Sequence, residues 1–285
     1  MTGRPVSPLA AGSPWNEIEG RTCASVLWRA IVRAVSPAET NFAEEEDDEE
    51  SPDERAVGGL GRAGAGGCRA RAGGGNSVEK TIDQLPMYGG VDRRMDPPTA
   101  QADDTFIAAA TREFGSRRKA SESFVEEGAR DYRRGDDRMA MRRFNQGWLL
   151  DPTNPGAFHG FAVVLHERGR DCDAVKMGER ALNLNLSRPI ALADVGAHYA
   201  LCAAADRTLT AEARSRYLAR SRDLLQRAST MAPGNDYIYE QWGRALYASG
   251  DYRGAWEKVH RQRELGGTPD GRTMNLLRAK MPEPN

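Results

Sequence analysis

The sequence predicts an all-α chain in which about four helical hairpins, over residues 121–269, stack into a solenoid behind a disordered N-terminal region. Three observations carry that reading. Gly135 and Gly169 stand 34 residues apart, and so do Ala140 and Ala174. Gly128 to Gly135, Ala162 to Gly169 and Gly243 to Gly250 are each seven residues, and in each case an alanine follows five residues later (Ala140, Ala174, Ala255). From Asp103 onward apolar residues recur with the period of a helix, whereas the preceding hundred residues lack such a texture.

Residues 1–77 read as disordered. The run EEEDDEE at 44–50 repels itself, and nine of the nineteen residues from Val57 to Gly75 are glycine, which makes ordering costly. The only helical pattern there is Ala24–Val35, with Val26, Leu27, Ile31 and Val35 on one face. Residues 78–102 hold Pro86, Gly89, Gly90, Pro97 and Pro98 and read as a linker. An N-terminal capping helix region follows at 103–120. Asp103 is its expected N-cap, Phe106, Ile107, Ala110 and Phe114 its apolar stripe, and Gly115 its stop, after which Ser116 opens the next helix.

The first hairpin, 121–154, is marked by Phe124, Gly128, Gly135, Ala140, Phe144 and Pro152. The second, 155–188, is marked by Phe158, Ala162, Gly169, Ala174 and Ala181. The third, 189–235, carries Leu192, Gly196, Tyr199, Ala228 and Pro233 and runs about 13 residues over the 34-residue spacing of the first two. The surplus around ADRTLTAEARSR predicts a longer loop and an elongated second helix. The fourth, 236–269, repeats the pattern with Tyr239, Gly243, Gly250 and Ala255. Residues 270–285 form a closing helix and tail, with Thr268 as expected N-cap, Pro269 in the first helical position and Pro282 as the stop. Small residues let paired helices approach, bulky ones at the fourth position (Phe124, Phe158, Leu192, Tyr239) fill the space between hairpins, and the turn glycines reverse the chain.

Composition narrows the function classes. The formal net charge is −1. It divides into −5 over residues 1–100 and +4 over the remainder, so neither part has the one-signed field of a dedicated nucleic-acid binder. The basic residues Arg117, Arg118, Lys119, Arg133, Arg134, Arg138, Arg142 and Arg143 alternate with acidic ones and read as a solvated helix face. Cys23, Cys68, Cys172 and Cys202 are too few and scattered for a disulfide framework, and Cys172 and Cys202 read as small buried helix residues. No stretch approaches the ~18 apolar residues of a membrane span. The N-terminus, MTGRPVSPLAAGSPW, lacks the apolar core of an export signal, so the chain as written reads as soluble. The four histidines show no paired metal-ligand spacing, and there is no GxxxxGK[ST] loop. No catalytic residue, metal or cofactor is expected, and the chain does not read as an enzyme.

SFVEEGARDYRRGDDRMAMRRFNQGWLLDPTNP, AFHGFAVVLHERGRDCDAVKMGERALNLN and YEQWGRALYASGDYRGAWEKV resemble tetratricopeptide repeats. The resemblance covers about 121–269. It implies a groove, lined by the first helix of each hairpin, that grips a partner peptide. Its candidate residues are Tyr132 and Arg133; His159, Val163 and His166; Ile190, Ala193 and Ala197; and Tyr237, Glu240, Arg244 and Tyr247. The subset that clamps a C-terminal carboxylate carries Lys and Asn where this chain has Val125 and Ala129. Gly178 and Gln262 depart from the pattern, which predicts loose packing in the second and last hairpins. The region from QLPMYGG to LLRAKMPEP is similar to small bacterial tetratricopeptide proteins, often exported lipoproteins. Cys68 in AGGC stands where a lipidated cysteine belongs, but VGGLGRAGA before it is not an apolar segment. A cell-envelope location is then expected only if the native N-terminus differs. The function implied is a scaffold binding a protein or peptide, or alternatively an envelope assembly protein acting by self-association as a homo-oligomer.

Overall fold

Local sequence signals place the helix boundaries. The computed structural model describes residues 82–284; the expectations for residues 1–77 lie outside the described residues. The described residues form ten α-helices and no strands. They are α1 (Pro97–Phe114), α2 (Arg117–Arg133), α3 (Asp137–Leu150), α4 (Pro155–Glu167), α5 (Asp171–Asn183), α6 (Pro189–Ala205), α7 (Ala211–Met231), α8 (Asp236–Ser249), α9 (Tyr252–Glu264) and α10 (Gly271–Lys280). Four antiparallel hairpins result, α2/α3, α4/α5, α6/α7 and α8/α9, with α1 before them and α10 behind.

Side-chain caps start most helices. Ser116, Asp136, Asn154, Thr210, Asn235 and Asp251 each accept a backbone N–H from the first turn they precede. Gly135, Gly169 and Gly250 occupy the left-handed region (φ 79°, 69° and 85°), which explains why glycine recurs at the hairpin turns. Two expected caps shift. Helix α1 begins at Pro97, with Asp96 rather than Asp103 as its cap. Two prolines in the first turn favour that start, since their missing N–H groups have no helical partner to lose. Asp103 instead pairs with Arg93 at 2.6 Å. Helix α10 is capped by Asp270 instead of Thr268.

The segment expected to be a linker is docked. Residues 82–95 form a strap with short 3-10 turns at Pro86–Gly90 and Arg93–Met95. Asn145 of α3, fully buried, holds the strap through three hydrogen bonds. Its Nδ2 donates to the Asp83 and Leu85 carbonyls, and its Oδ1 accepts from Tyr88 N. Arg168 adds a bond to the Gln84 carbonyl at 2.6 Å, and Arg93 stacks 4.1 Å from the centre of the buried Tyr88 ring. The strap therefore clasps the first two hairpins together.

Packing follows the small and bulky positions. Phe144 is fully buried between Gly128 and Gly160; a Cβ at those glycines would lie 2.7 and 2.4 Å from its ring. Phe124 meets Phe106 and Phe114 of α1 edge-on, so the cap covers the front of the stack. The expected looseness at Gly178 and Gln262 is absent. Val195 fills the space at Gly178, where a Cβ would stand 2.7 Å from its Cγ2, and Gln262 is buried. The third hairpin's surplus lengthens α7 to 21 residues and α6 to 17, and the loop 206–210 joins them.

Stacking changes along the chain. Toward the preceding hairpin, α4 packs mainly on α3 and α6 mainly on α5, so the earlier hairpins join through the second helix of one and the first of the next. Helix α8 instead lies chiefly on α6 and only lightly touches α7. The alanine-rich sequence PIALADVGAHYALCAAA permits this, because a helix with small side chains all round can be covered on every side. One pairing was not expected. Cys172, in the first turn of α5, is disulfide-bonded to Cys202, near the end of α6. The two positions are neighbours only because α5 and α6 pack together, and a separation of 30 residues does not announce that.

Candidate functional site

The first helices of the four hairpins, α2, α4, α6 and α8, supply almost all of the candidate groove. Tyr132 and Tyr237 are partly buried, Glu240 likewise, and Arg133 is exposed. His159, Val163, His166, Ile190, Ala193, Ala197, Arg244 and Tyr247 are buried. Tyr247 packs in a core cluster with Tyr252, Trp256 and Leu201. Ala193 and Ala197 lie on α6, where helix packing leaves them 0% and 1% exposed. Few of the expected residues are exposed.

A polar network occupies the face. Tyr132 Oη donates to Glu167 at 2.7 Å, joining α2 to α4. His159 Nε2 lies 2.8 Å from Asp194 Oδ2, and Tyr237 Oη donates to Asp194 Oδ1 at 2.6 Å, joining α4, α6 and α8 through one carboxylate. Gln241 donates to the Tyr237 oxygen at 2.6 Å. His166 Nδ1 is 2.5 Å from Asp171, and its ring lies 4.8 Å from that of His198. Arg244 donates through Nη2 to Glu240 at 2.5 Å.

Electrostatics follow from burial and these partners. Burial pushes the Asp194 carboxyl upward, but the hydrogen bond and charge of His159 outweigh it and hold Asp194 below the usual carboxylate range. Asp194 is therefore an ionised acceptor for both its partners. Burial raises the Glu167 carboxyl, although the Tyr132 hydroxyl opposes the shift. Burial, followed by the facing carboxylate, raises both the Tyr132 and the Tyr237 phenols. His198 is lowered to about 3 by burial and by His166. Arg244 stays charged, because Glu240 offsets the cost of burial.

Sequence reasoning placed Tyr132, His159, His166, Tyr237, Glu240 and Arg244 on one face, and the structure links them into neighbouring bonded groups. It did not single out Glu167, Asp171, Asp194, His198 or Gln241. A signal existed for two of them: Asp194 and His198 are four residues apart in an otherwise apolar helix, a spacing that aims both side chains the same way. Among the described residues no group of histidine, cysteine, aspartate and glutamate is arranged to hold a metal ion.

Of two cavities, the smaller touches the network at His159 and the larger touches none of its residues. One of about 90 Å³, bordered by His159, Leu186, Pro189, Ile190, Ala191 and Asn235, lies where α4, α6 and α8 begin. The other, about 500 Å³, is a cleft between α7 and α8, with Leu218, Trp242 and Leu246 as apolar walls and Arg214, Arg222 and Asp251 as polar ones. The basic run on α2 and α3 is largely paired within the chain. Arg118 meets Glu122, Arg134 meets Asp131, Arg143 meets Glu127, and Arg142 meets Asp83.

No protein-family model matches the chain, and no curated protein matches it. The site's chemistry therefore has to be read from its own geometry. Among the described residues no helix is long and apolar enough to cross a membrane.

Proposed function

We propose that the chain is a tetratricopeptide-type interaction module whose first-helix face binds an extended segment of a partner protein, with no catalytic role. The observation that carries this reading is the convergence of polar groups from all four hairpins: Tyr132, Glu167, Asp194, Tyr237 and Arg244. A stack held together by apolar contacts alone does not need them, and burying polar groups costs free energy unless each finds partners.

The test uses groups on the rim, so that the fold survives. Affinity capture with the full chain is compared with a Glu167→Gln/Glu240→Gln variant, in which both side chains keep their shape and lose their charge. Loss of captured partners from the variant supports the reading; an unchanged partner set rejects this face as the binding surface.

The cleft between α7 and α8 favours a second reading, self-association in an assembly. Its apolar walls Leu218, Trp242 and Leu246 are only partly covered. Sedimentation equilibrium decides between the two. A stable oligomer that Leu218→Glu dissociates, with helicity unchanged, favours assembly, whereas a monomer at high concentration removes it.

A further inference from the structure

Arg244 is unlike every other cation of the first-helix face. Its side chain is 4% exposed, and of its five N–H donors only those on Nη2 have an acceptor, Glu240. Its Nε and Nη1 are buried without any hydrogen-bond partner. Burying such donors unpaired is costly, a loss that a bound acceptor recovers. The nearest charged and phenolic groups acting on it are Glu240, Tyr237, Tyr132 and Glu167, drawn from three hairpins.

Acceptor chemistry follows from the charges already present. Glu240 and Glu167 are two carboxylates that act on one guanidinium, so an incoming carboxylate would add a third negative group to a site short of acceptors but not of negative charge. A neutral carbonyl supplies the acceptor without that repulsion. Glu240 lies one turn ahead of Arg244 on α8 and is 24% exposed, so it can swing outward and admit a main chain.

We infer that Arg244 is a ligand-reading group: its Nε and Nη1 donate to main-chain carbonyls of an extended, non-acidic peptide, with basic side chains of that peptide set against Glu167 and Glu240. This rests on the peptide-binding reading of the face and specifies the ligand's chemistry.

The experiment selects from an mRNA-displayed library of random octapeptides against the full chain. It then measures the enriched peptides on wild type, Arg244→Met and Arg244→Lys. Enriched peptides should be basic and poor in Asp and Glu. Their affinity should fall roughly tenfold to a hundredfold on Arg244→Met, the range for losing one or two charge-assisted bonds. Arg244→Lys should recover little, because it lacks the fork. Replacing one peptide carbonyl at a time by the weaker acceptor thiocarbonyl should weaken binding at one or two positions in wild type and at none in Arg244→Met.

The unliganded Arg244→Met variant should keep wild-type far-UV dichroism, which makes its affinity a reading on the folded chain. Enriched peptides that bind both proteins equally overturn the inference, while leaving the groove intact. Acidic peptides, or binding that requires a free C-terminal carboxylate, overturn the ligand chemistry. A crystal structure in which waters satisfy Nε and Nη1 with and without peptide overturns the carbonyl contact. Failure to enrich any peptide removes the groove reading itself, and this inference with it.

Discussion

The first two junctions of the stack differ from the third. Between hairpins one and two, the strap reaches across and is held by Asn145 and Arg168. Between hairpins two and three, the Cys172–Cys202 disulfide ties α5 to α6. Between hairpins three and four there is no such clasp among the described residues. There α8 lies against the small side chains of α6, and Asp194 with Tyr237 provides the polar bond. A repeated hairpin pattern therefore does not impose one mode of stacking. The small residues of α6 admit the close approach of α8, whereas the first two junctions carry a strap and a disulfide in addition to their packing.

The largest test of that contrast removes the clasp at the second junction. A Cys172→Ser/Cys202→Ser variant should lose roughly 3–4 kcal/mol of stability, the chain-entropy expectation for a loop of this length. Denaturant unfolding with and without reductant reads it. Wild type made fully reduced should match the variant, and equal stability in all cases would leave the second junction no different from the third.

The second test compares one repeat position at the two ends of the stack. Gly128→Ala should destabilise by about 1–3 kcal/mol, because the new methyl meets the buried Phe144 ring. Gly243→Ala should be neutral or stabilising by up to about 1 kcal/mol, since its Cβ has no neighbour nearer than 3.7 Å and alanine favours the helix. Thermal melts should fall for Gly128→Ala and hold or rise for Gly243→Ala.

Unlatching the strap comes third. Asn145→Ala should cost about 2 kcal/mol through three lost hydrogen bonds and should expose the Gln84–Arg94 region to protease. Far-UV dichroism should be nearly unchanged, because the helices themselves do not depend on the strap. If protection persists, the clasp lies elsewhere.

The smallest effect per step is a pH dependence from His198. Its folded pKa, about 3, lies below the ordinary 6.5. Between those values the unfolded chain binds a proton that the folded chain refuses, so stability falls as pH drops from 6.5 toward 3 and is level above. Each unit costs up to about 1.4 kcal/mol. The groups facing His198 are His166, Asp194, Asp171 and His159. His198→Gln should flatten the slope, and an unchanged slope would place its origin in those neighbours.

Much of the helical framework was legible because it is set by local rules. Turn glycines with positive φ, capping side chains and the spacing of alanines announce themselves within a few residues. The start of α1 was misread because Asp103 and Asp96 both look like caps, and only the prolines after Asp96 decide between them. The strap was illegible for a different reason: Pro86, Gly89 and Gly90 look like a linker, and what orders them is Asn145, far along the chain. The disulfide and the Asp194 network are likewise relations between residues distant in sequence. Face membership could be read for Tyr132, Tyr237 and Arg244, but burial could not, because the close approach of α8 to α6 is a property of the assembled stack.

The disulfide also has a mechanical meaning. When a chain is pulled from its two ends, residues between linked cysteines cannot pay out. Here the bond encloses a 30-residue separation that spans the seam between the middle hairpins. It withholds on the order of 100 Å of contour length. Under load the end hairpins can unravel while the middle of the stack stays stapled, and a reductant would release that length in a single step.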